Sequence, residues 1–339
     1  MFVLWTYLAS AILLASAFEW LNSNSISIFS RKGSEPISEA LTDSVQSGAQ
    51  LALDHCQRQF KWDRWNCPES AFVGRRWERP NRESAYAVAI TSAGVVYSVT
   101  RNCSRGDLLD CGCDTSLRGR TSEGWFWGGC SDNVAFGEDV AIRFLEAVKE
   151  REKDTTGYIH RHNARAGREA VRDGLKRRCK CHGVSGTCSV QTCWQQMAPF
   201  SETAANLRQR YERAVRIDDE PRNGAVAAGN SAAGTSPLHK PVIDKRDLVY
   251  LQESPDYCQP NKTTGWLGTR GRACSKPLDA LQNVSVAERR SCRTLCRACG
   301  LRVRRKRRVL EWHCNCTFHW CCEVTCQTCH KTVDEHFCE

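Results

Sequence analysis

Past its first seventeen residues, the 339-residue sequence has no apolar run long enough to cross a bilayer as a helix. Nor does it have the composition of a disordered or collagen-like chain, because charged residues make up 25% and hydrophobic residues 41%. No cysteine occurs between Trp194 and Tyr257, a gap that matters because the chain carries 22 elsewhere. So many thiols exclude an ordinary cytosolic enzyme, where they would stand reduced and open to oxidation. The length suggests two domains, or a large one with a smaller partner.

The first residues lack Lys and Arg, leaving the terminal amine as their positive charge. Residues 2–15 are nonetheless almost wholly apolar, and Ala15-Ser16-Ala17 has the small-x-small form of a signal-peptidase site. Residues 1–17 therefore read as a secretory signal peptide, and the expected location is the extracellular space and matrix. N-glycosylation sequons at Asn102, Asn261 and Asn283 agree with export. A fourth, at Asn315, lies inside a dense cysteine cluster with little room for a glycan.

Ten cysteines lie between Cys56 and Cys193 and twelve between Cys258 and Cys338, so each block can close its bridges internally. The second block has the cysteine density of a small scaffold whose apolar core is insufficient alone. Between them, residues 221–237 are rich in Ala, Gly, Asn, Ser and Pro and read as a flexible connection. The expected organisation is a helical domain over 18–217, a linker over 218–245 and a cysteine-rich domain over 246–339. The fold class is α+β, with disulfide-tied hairpins in the first domain and disulfide-rich β-hairpins in the second. Helical stripes run through Ile37, Leu41, Val45, Ala52, Cys56 and Phe60, and through Tyr86, Ala89, Ile90, Ala93 and Tyr97. Others are Val140, Phe144, Leu145 and Val148; Ala166, Ala170, Val171 and Leu175; and Leu207, Tyr211, Ala214 and Val215. Each is core packing. The second domain shows no such periodicity.

The most informative segment is Cys179-Lys180-Cys181-His182-Gly183-Val184-Ser185-Gly186-Thr187-Cys188-Ser189-Val190-Gln191-Thr192-Cys193-Trp194. Its spacing suits nested bridges, Cys179–Cys193 outside Cys181–Cys188, although spacing alone leaves connectivity open. Such a hairpin would be stiff, and Gly183 and Gly186 would take positive φ and leave the Ser185 hydroxyl uncrowded. Gly183-x-Ser185 resembles half of a hydrolase nucleophile elbow, but Thr187 stands where the elbow needs glycine. Zinc binding by Cys296/Cys299 and Cys326/Cys329 fits their spacing, while an oxidising compartment favours disulfides.

Cys-His-Gly-x-Ser-Gly-x-Cys followed by Gln-Thr-Cys-Trp resembles the Wnt family of secreted, lipid-modified signalling proteins. Further motifs in the family's order are Arg64-Trp65-Asn66-Cys67, residues 89–94, residues 127–134, His162-Asn163 with Ala166-Gly167-Arg168, and Cys314-Asn315-Cys316-x-Phe318-x-Trp320-Cys321-Cys322. Residues 253–258 and the overall length are most similar to the Wnt-eight branch.

The resemblance implies a receptor ligand and no enzyme. It implies covalent palmitoleate on Ser185, attached by a membrane-bound O-acyltransferase of the Porcupine type, with no other cofactor and no metal. The family usually has Ser where Thr187 stands, and acylation is expected to persist. The lipid would enter a groove on a Frizzled cysteine-rich domain, with His182, Gly183, Val184 and Gly186 around it. A C-terminal finger carrying Phe318, Trp320, Cys321, Cys322 and Val324 would grip the same domain, and adjacent Cys321 and Cys322 would bridge each other. The other implied bridges are Cys56–Cys67, Cys103–Cys111, Cys113–Cys130, Cys258–Cys299, Cys274–Cys292, Cys296–Cys338, Cys314–Cys329 and Cys316–Cys326. Wntless would carry the poorly soluble product, and an LDL-receptor-related co-receptor would complete the complex that activates β-catenin signalling in development.

Residues 258–339 hold 15 Lys+Arg against 7 Asp+Glu, centred on Arg302, Arg304, Arg305, Lys306, Arg307 and Arg308. Export removes nucleic acid as the partner and points to heparan sulfate. Arg304-Arg305-Lys306-Arg307 also resembles a furin-type site, and Arg105-Gly106-Asp107 an integrin tripeptide. A glycosaminoglycan-binding matrix protein and a secreted hydrolase are the competing classes.

Overall fold

The computed structural model describes residues 38–72, 80–145, 155–217, 243–261, 266–276 and 284–339. The expected signal peptide, most of the expected 218–245 linker and Asn283 lie outside them. One unit contains the described residues up to Gln59 and from Cys67 to Ser254; the other contains Phe60–Asn66 and Pro255–Glu339.

Among the described residues, five α-helices build the first unit: α1 (Glu39–Gln59), α2 (Arg82–Arg105), α3 (Val134–Leu145), α4 (Thr155–Asp173) and α5 (Phe200–Glu212). Helix α2 is its axis. Asn81 and Ser84 form a reciprocal capping box at its start, and Tyr86, Ala89, Ile90, Ala93, Val95, Val96 and Val99 are wholly buried. Neighbouring helices reach its backbone through glycine. A Cβ on Gly48 of α1 would lie 2.6 Å from the Gly94 carbonyl oxygen, and one on Gly137 of α3 would lie 2.8 Å from the Val96 carbonyl oxygen. Gly167 of α4 is so close to Ala89 that a Cβ would overlap its carbonyl.

Two expected helical stripes end early. Helix α4 stops at Asp173 and Leu175 opens a strand; α5 stops at Glu212, before Ala214 and Val215. Turn residue Gly174 breaks the first, and strand pairing of Val215 with Val249 captures the second. The short strands are β1 (Gly119–Arg120), β2 (Phe126–Trp127), β5 (Val215–Arg216) and β6 (Val249–Tyr250); β3 (Leu175–Cys181) and β4 (Gln191–Met197) are longer. One sheet has the order β1-β2-β4-β3.

Residues beyond the expected linker belong to this unit for identifiable reasons. Asn163 donates to the Val249 carbonyl and accepts from the Val249 amide, both at 2.9 Å. The His162 ring contacts the Asp247 carbonyl at 2.9 Å, and burial holds its pKa below the ordinary value. Asp173 accepts from Arg210 at 3.1 Å and from Arg246 at 2.8 Å, and these guanidinium groups, Arg246 foremost, lower its pKa. Ser254 donates to Glu83. His162-Asn163 is thus a clamp on β6.

The second unit has a small core of Cys274, Leu295, Cys296 and Cys338. Its sheet has the order β7-β9-β8, formed by β7 (Ala273–Cys274), β8 (Val303–His319) and β9 (Glu323–Cys338). Hairpins alone were expected, but α6 (Val286–Ser291) continues as helical turns through Cys299. Ser285 caps it by accepting from the Glu288 amide at 3.1 Å, while Cys292, Leu295, Cys296 and Cys299 recur at helical spacing. Arg272 donates to the Lys61 carbonyl at 3.1 Å and to the Arg64 carbonyl, tying Phe60–Asn66 into this unit; burial brings its pKa down to about 10.

Candidate functional site

Strands β3 and β4 pair in register from Leu175↔Met197 to Cys181↔Gln191, with disulfides Cys179–Cys193 and Cys181–Cys188. Beyond Cys181 the tip is closed by four backbone bonds: His182 amide to Val190 carbonyl (2.7 Å), Gly183 to Thr187 (2.8 Å), Gly186 to Gly183 (2.9 Å) and Thr187 to Val184 (3.2 Å). Ser185 is exposed, and Val184 beside it is 86% exposed.

The tip corrects one expectation. Gly186 takes positive φ (77°), but the other left-handed residue is Ser185 itself (φ 58°), while Gly183 is extended at φ −65°. Gly183 is needed for space: its Cβ would fall 2.5 Å from the Thr187 carbonyl oxygen and onto the Thr187 and Ser189 hydroxyls. Those hydroxyls stand 3.2 Å apart and brace the turn. Left-handed serine costs on the order of 1–2 kcal/mol, which the two bridges and four hydrogen bonds over-determine. The strand–turn–strand setting differs from the strand–turn–helix of a nucleophile elbow.

Polar groups whose role the sequence alone did not reveal hold the hairpin's base. Asp132 accepts from the Met197 amide at 2.7 Å and from Ser104 Oγ at 2.6 Å, and its own amide donates to the Gln195 carbonyl at 2.9 Å. Ser131 Oγ accepts from the Gln195 amide at 3.2 Å, and Arg177 lies 3.9 Å over the Trp125 ring. Trp127-Gly128-Gly129-Cys130-Ser131-Asp132-Asn133 is therefore the pedestal of β4.

In the second unit β8 and β9 form a long two-stranded ribbon, bridged by Cys314–Cys329 and Cys316–Cys326. Its tip presents Trp320 at 95%, Phe318 at 67% and Val324 at 60% exposure, so these side chains do not cover their own domain. Cys321 and Cys322, expected as a bridged pair, are two exposed free thiols with φ 73° and 82°. Adjacent Cα atoms across a trans peptide are only about 3.8 Å apart, shorter than the usual disulfide span of about 4.4–6.8 Å, so this pair does not close. The other disulfides join Cys56–Cys67, Cys103–Cys111, Cys113–Cys130, Cys258–Cys299, Cys274–Cys292 and Cys296–Cys338, so Cys296, Cys299, Cys326 and Cys329 are committed to sulfur rather than zinc.

Strand alternation divides the basic run. Arg304, Lys306 and Arg308 share a face with Lys331 and Glu335, four cations against one carboxylate in the ladder; Arg305 and Arg307 share the other with Asp334 and Glu311, two against two. Arg305 and Arg307 lie 3.5 and 3.9 Å from Asp334, Arg308 lies 3.3 Å from Glu335, and Arg304 lies 2.7 Å from Glu339. Arg302 precedes the strand, its amide bonded to the Glu339 carbonyl. The furin-like run is a paired strand. Arg105-Gly106-Asp107 is a helix stop: Gly106 is left-handed (φ 79°), and the Asp107 amide donates to the Asn102 carbonyl at 3.0 Å. Asn102 is half-buried and donates to Ser44 Oγ at 2.8 Å, whereas Asn261 is exposed. No described helix is long and apolar enough to cross a membrane.

The family model for the wnt family matches residues 34–339. Protein Wnt-8b of Mus musculus is 48% identical over 305 residues, covering 88% of this chain and 84% of that protein. Protein Wnt-8 of Xenopus laevis is 44% identical over 301 residues, 87% of this chain and 82% of that protein. A chain in the solved structure of human WLS in complex with WNT8A superposes with a TM-score of 0.68 at 38% identity, covering 94% of this chain and 99% of that one. The β3–β4 hairpin motif, the cysteine framework and these matches over most of the length agree: the chain belongs to the Wnt family of secreted signalling ligands.

Proposed function

We propose that this protein is a palmitoleoylated ligand that binds Frizzled receptors through Ser185 on the β3–β4 hairpin and through the ribbon tip. It then recruits an LDL-receptor-related co-receptor to activate β-catenin signalling in development. A Porcupine-type acyltransferase esterifies Ser185, and Wntless carries the product; a relative 38% identical to this chain occurs in complex with WLS. Catalysis by the ligand is not needed. The observation that carries the reading is an exposed serine held left-handed at a doubly bridged tip, because a rigid mount lowers the entropy cost of delivering an acyl chain. His182, Val184 and Gly186 then contact the groove rim.

Trp320 and Phe318 supply the second contact, and a buried tryptophan is a common interface anchor. Binding of the secreted protein to an isolated Frizzled cysteine-rich domain is the test. Trp320→Ala should cost about 2 kcal/mol, about thirtyfold in Kd; unchanged affinity removes the finger from the interface.

Heparan sulfate is proposed to bind the ribbon face of Arg304, Lys306, Arg308 and Lys331, with Arg302 beside it. Two charge-matched variants separate a face from a bulk charge. Lys306→Gln with Arg308→Gln should elute from heparin at clearly lower salt than wild type, and Arg305→Gln with Arg307→Gln should shift little. Equal shifts would make the run an undirected charge, and no shift in either would remove the glycan.

A further inference from the structure

We propose that Asn315 is an N-glycan acceptor, occupied in the secreted protein, on the shaft of the ribbon. The sequon Asn315-Cys316-Thr317 lies where the ladder slips: Cys314 pairs with Gln327 and Thr317 with Thr325, so β8 carries one extra residue. Asn315 takes φ 47°, a left-handed conformation that asparagine tolerates better than most residues, and it is exposed. The crowding expected from the surrounding cysteines is absent here, because the bulge takes this residue out of the ladder. Its Nδ2 donates to Gln327 Oε1 at 3.1 Å. In transfer from a polyprenyl-diphosphate-linked oligosaccharide, Nδ2 bonds to the anomeric carbon, that carbon's bond to the diphosphate oxygen breaks, and one Nδ2 proton leaves with the diphosphate. The second N–H remains free to keep Gln327.

The position also answers a physical problem. Strand β8 is the edge of its sheet, and edge strands invite pairing with other chains unless charge or bulk guards them. Five consecutive cations, Arg304 to Arg308, guard its lower half, but residues 309–319 contain no Lys or Arg. That upper half exposes Val309, Leu310, Trp312 and Phe318. A glycan at Asn315 would sit in the middle of it, five residues and about 16 Å from Trp320, covering the shaft while leaving the tip free. The inference needs passage through the secretory route and does not depend on the receptor reading.

Peptide N-glycosidase treatment of the denatured secreted protein in heavy-oxygen water converts each glycosylated Asn to labelled Asp. We expect label at position 315. Thr317→Val should abolish it and increase gel mobility by one glycan while leaving the left-handed Asn315 in place. Asn315→Gly, which suits positive φ, should show the same mobility gain. Unlabelled Asn315 in the wild-type peptide, whatever the other sequons show, overturns the proposal, as does unchanged mobility of both variants.

Discussion

Ser185→Ala is expected to abolish fatty-acyl labelling and to weaken binding to a Frizzled cysteine-rich domain by about a thousandfold. Burying about ten methylenes at about 0.8 kcal/mol each gives about 8 kcal/mol. Ordering the chain and the tip offsets part of this, and a residual of about 4 kcal/mol is about a thousandfold in Kd. The substitution should not unfold the hairpin, because two disulfides and the tip's backbone bonds remain. Ser185→Gly makes that separation explicit, since glycine adopts the observed φ of 58° without strain. Both variants, purified from cells, should keep native disulfides and bind about a thousandfold more weakly. Metabolic labelling with an alkynyl fatty acid checks the first half; undiminished label on Ser185→Ala would move the lipid elsewhere.

A second large effect is expected in the helix packing of the first unit. Gly94→Ala combined with Gly167→Ala should remove most secreted protein. Alanine at 94 would drive its methyl into the Gly48 carbonyl, and at 167 into the Ala89 carbonyl. Backbone carbonyls inside paired helices cannot swing away as side chains do, so relief requires parting α2 from α1 and α4. Overpacking of this kind costs about 1–3 kcal/mol per site, and occasionally more. Two sites together would consume much of an ordinary domain's stability of about 5–15 kcal/mol. Gly112→Ala, where no atom lies within 4 Å of the added methyl, is the matched control and should change little. The secreted fraction and thermal midpoint are the readouts; a double variant as stable as Gly112→Ala would refute the close-approach account.

The helical stripes around Val45, Ile90, Phe144 and Ala170 were legible in the sequence because a 3.6-residue period survives without tertiary information. Leu175 and Val215 continued that period by accident, and strand pairing overrode it. The turns over 286–299 were legible in principle, through Ser285 three residues before Glu288 and through Cys292, Leu295, Cys296 and Cys299. They were obscured because bridged cysteines read first as hairpin punctuation. Ser185 was identifiable as the residue on display, but its own positive φ was not, since glycines on either side were the expected carriers. Asp132 and Ser131 gave no local signal; their partners at 104, 195 and 197 exist only after folding. The charge run likewise became two unlike faces only once register placed Asp334 opposite Arg307 and Glu335 opposite Lys306.

The most direct test of the central claim is the intact mass and peptide map of the secreted protein, before and after enzymatic deacylation, read alongside Frizzled binding. The expected result is one palmitoleoyl group on the peptide containing Ser185, with its removal abolishing high-affinity binding. Unmodified Ser185 in protein that binds the receptor domain at full affinity would contradict it.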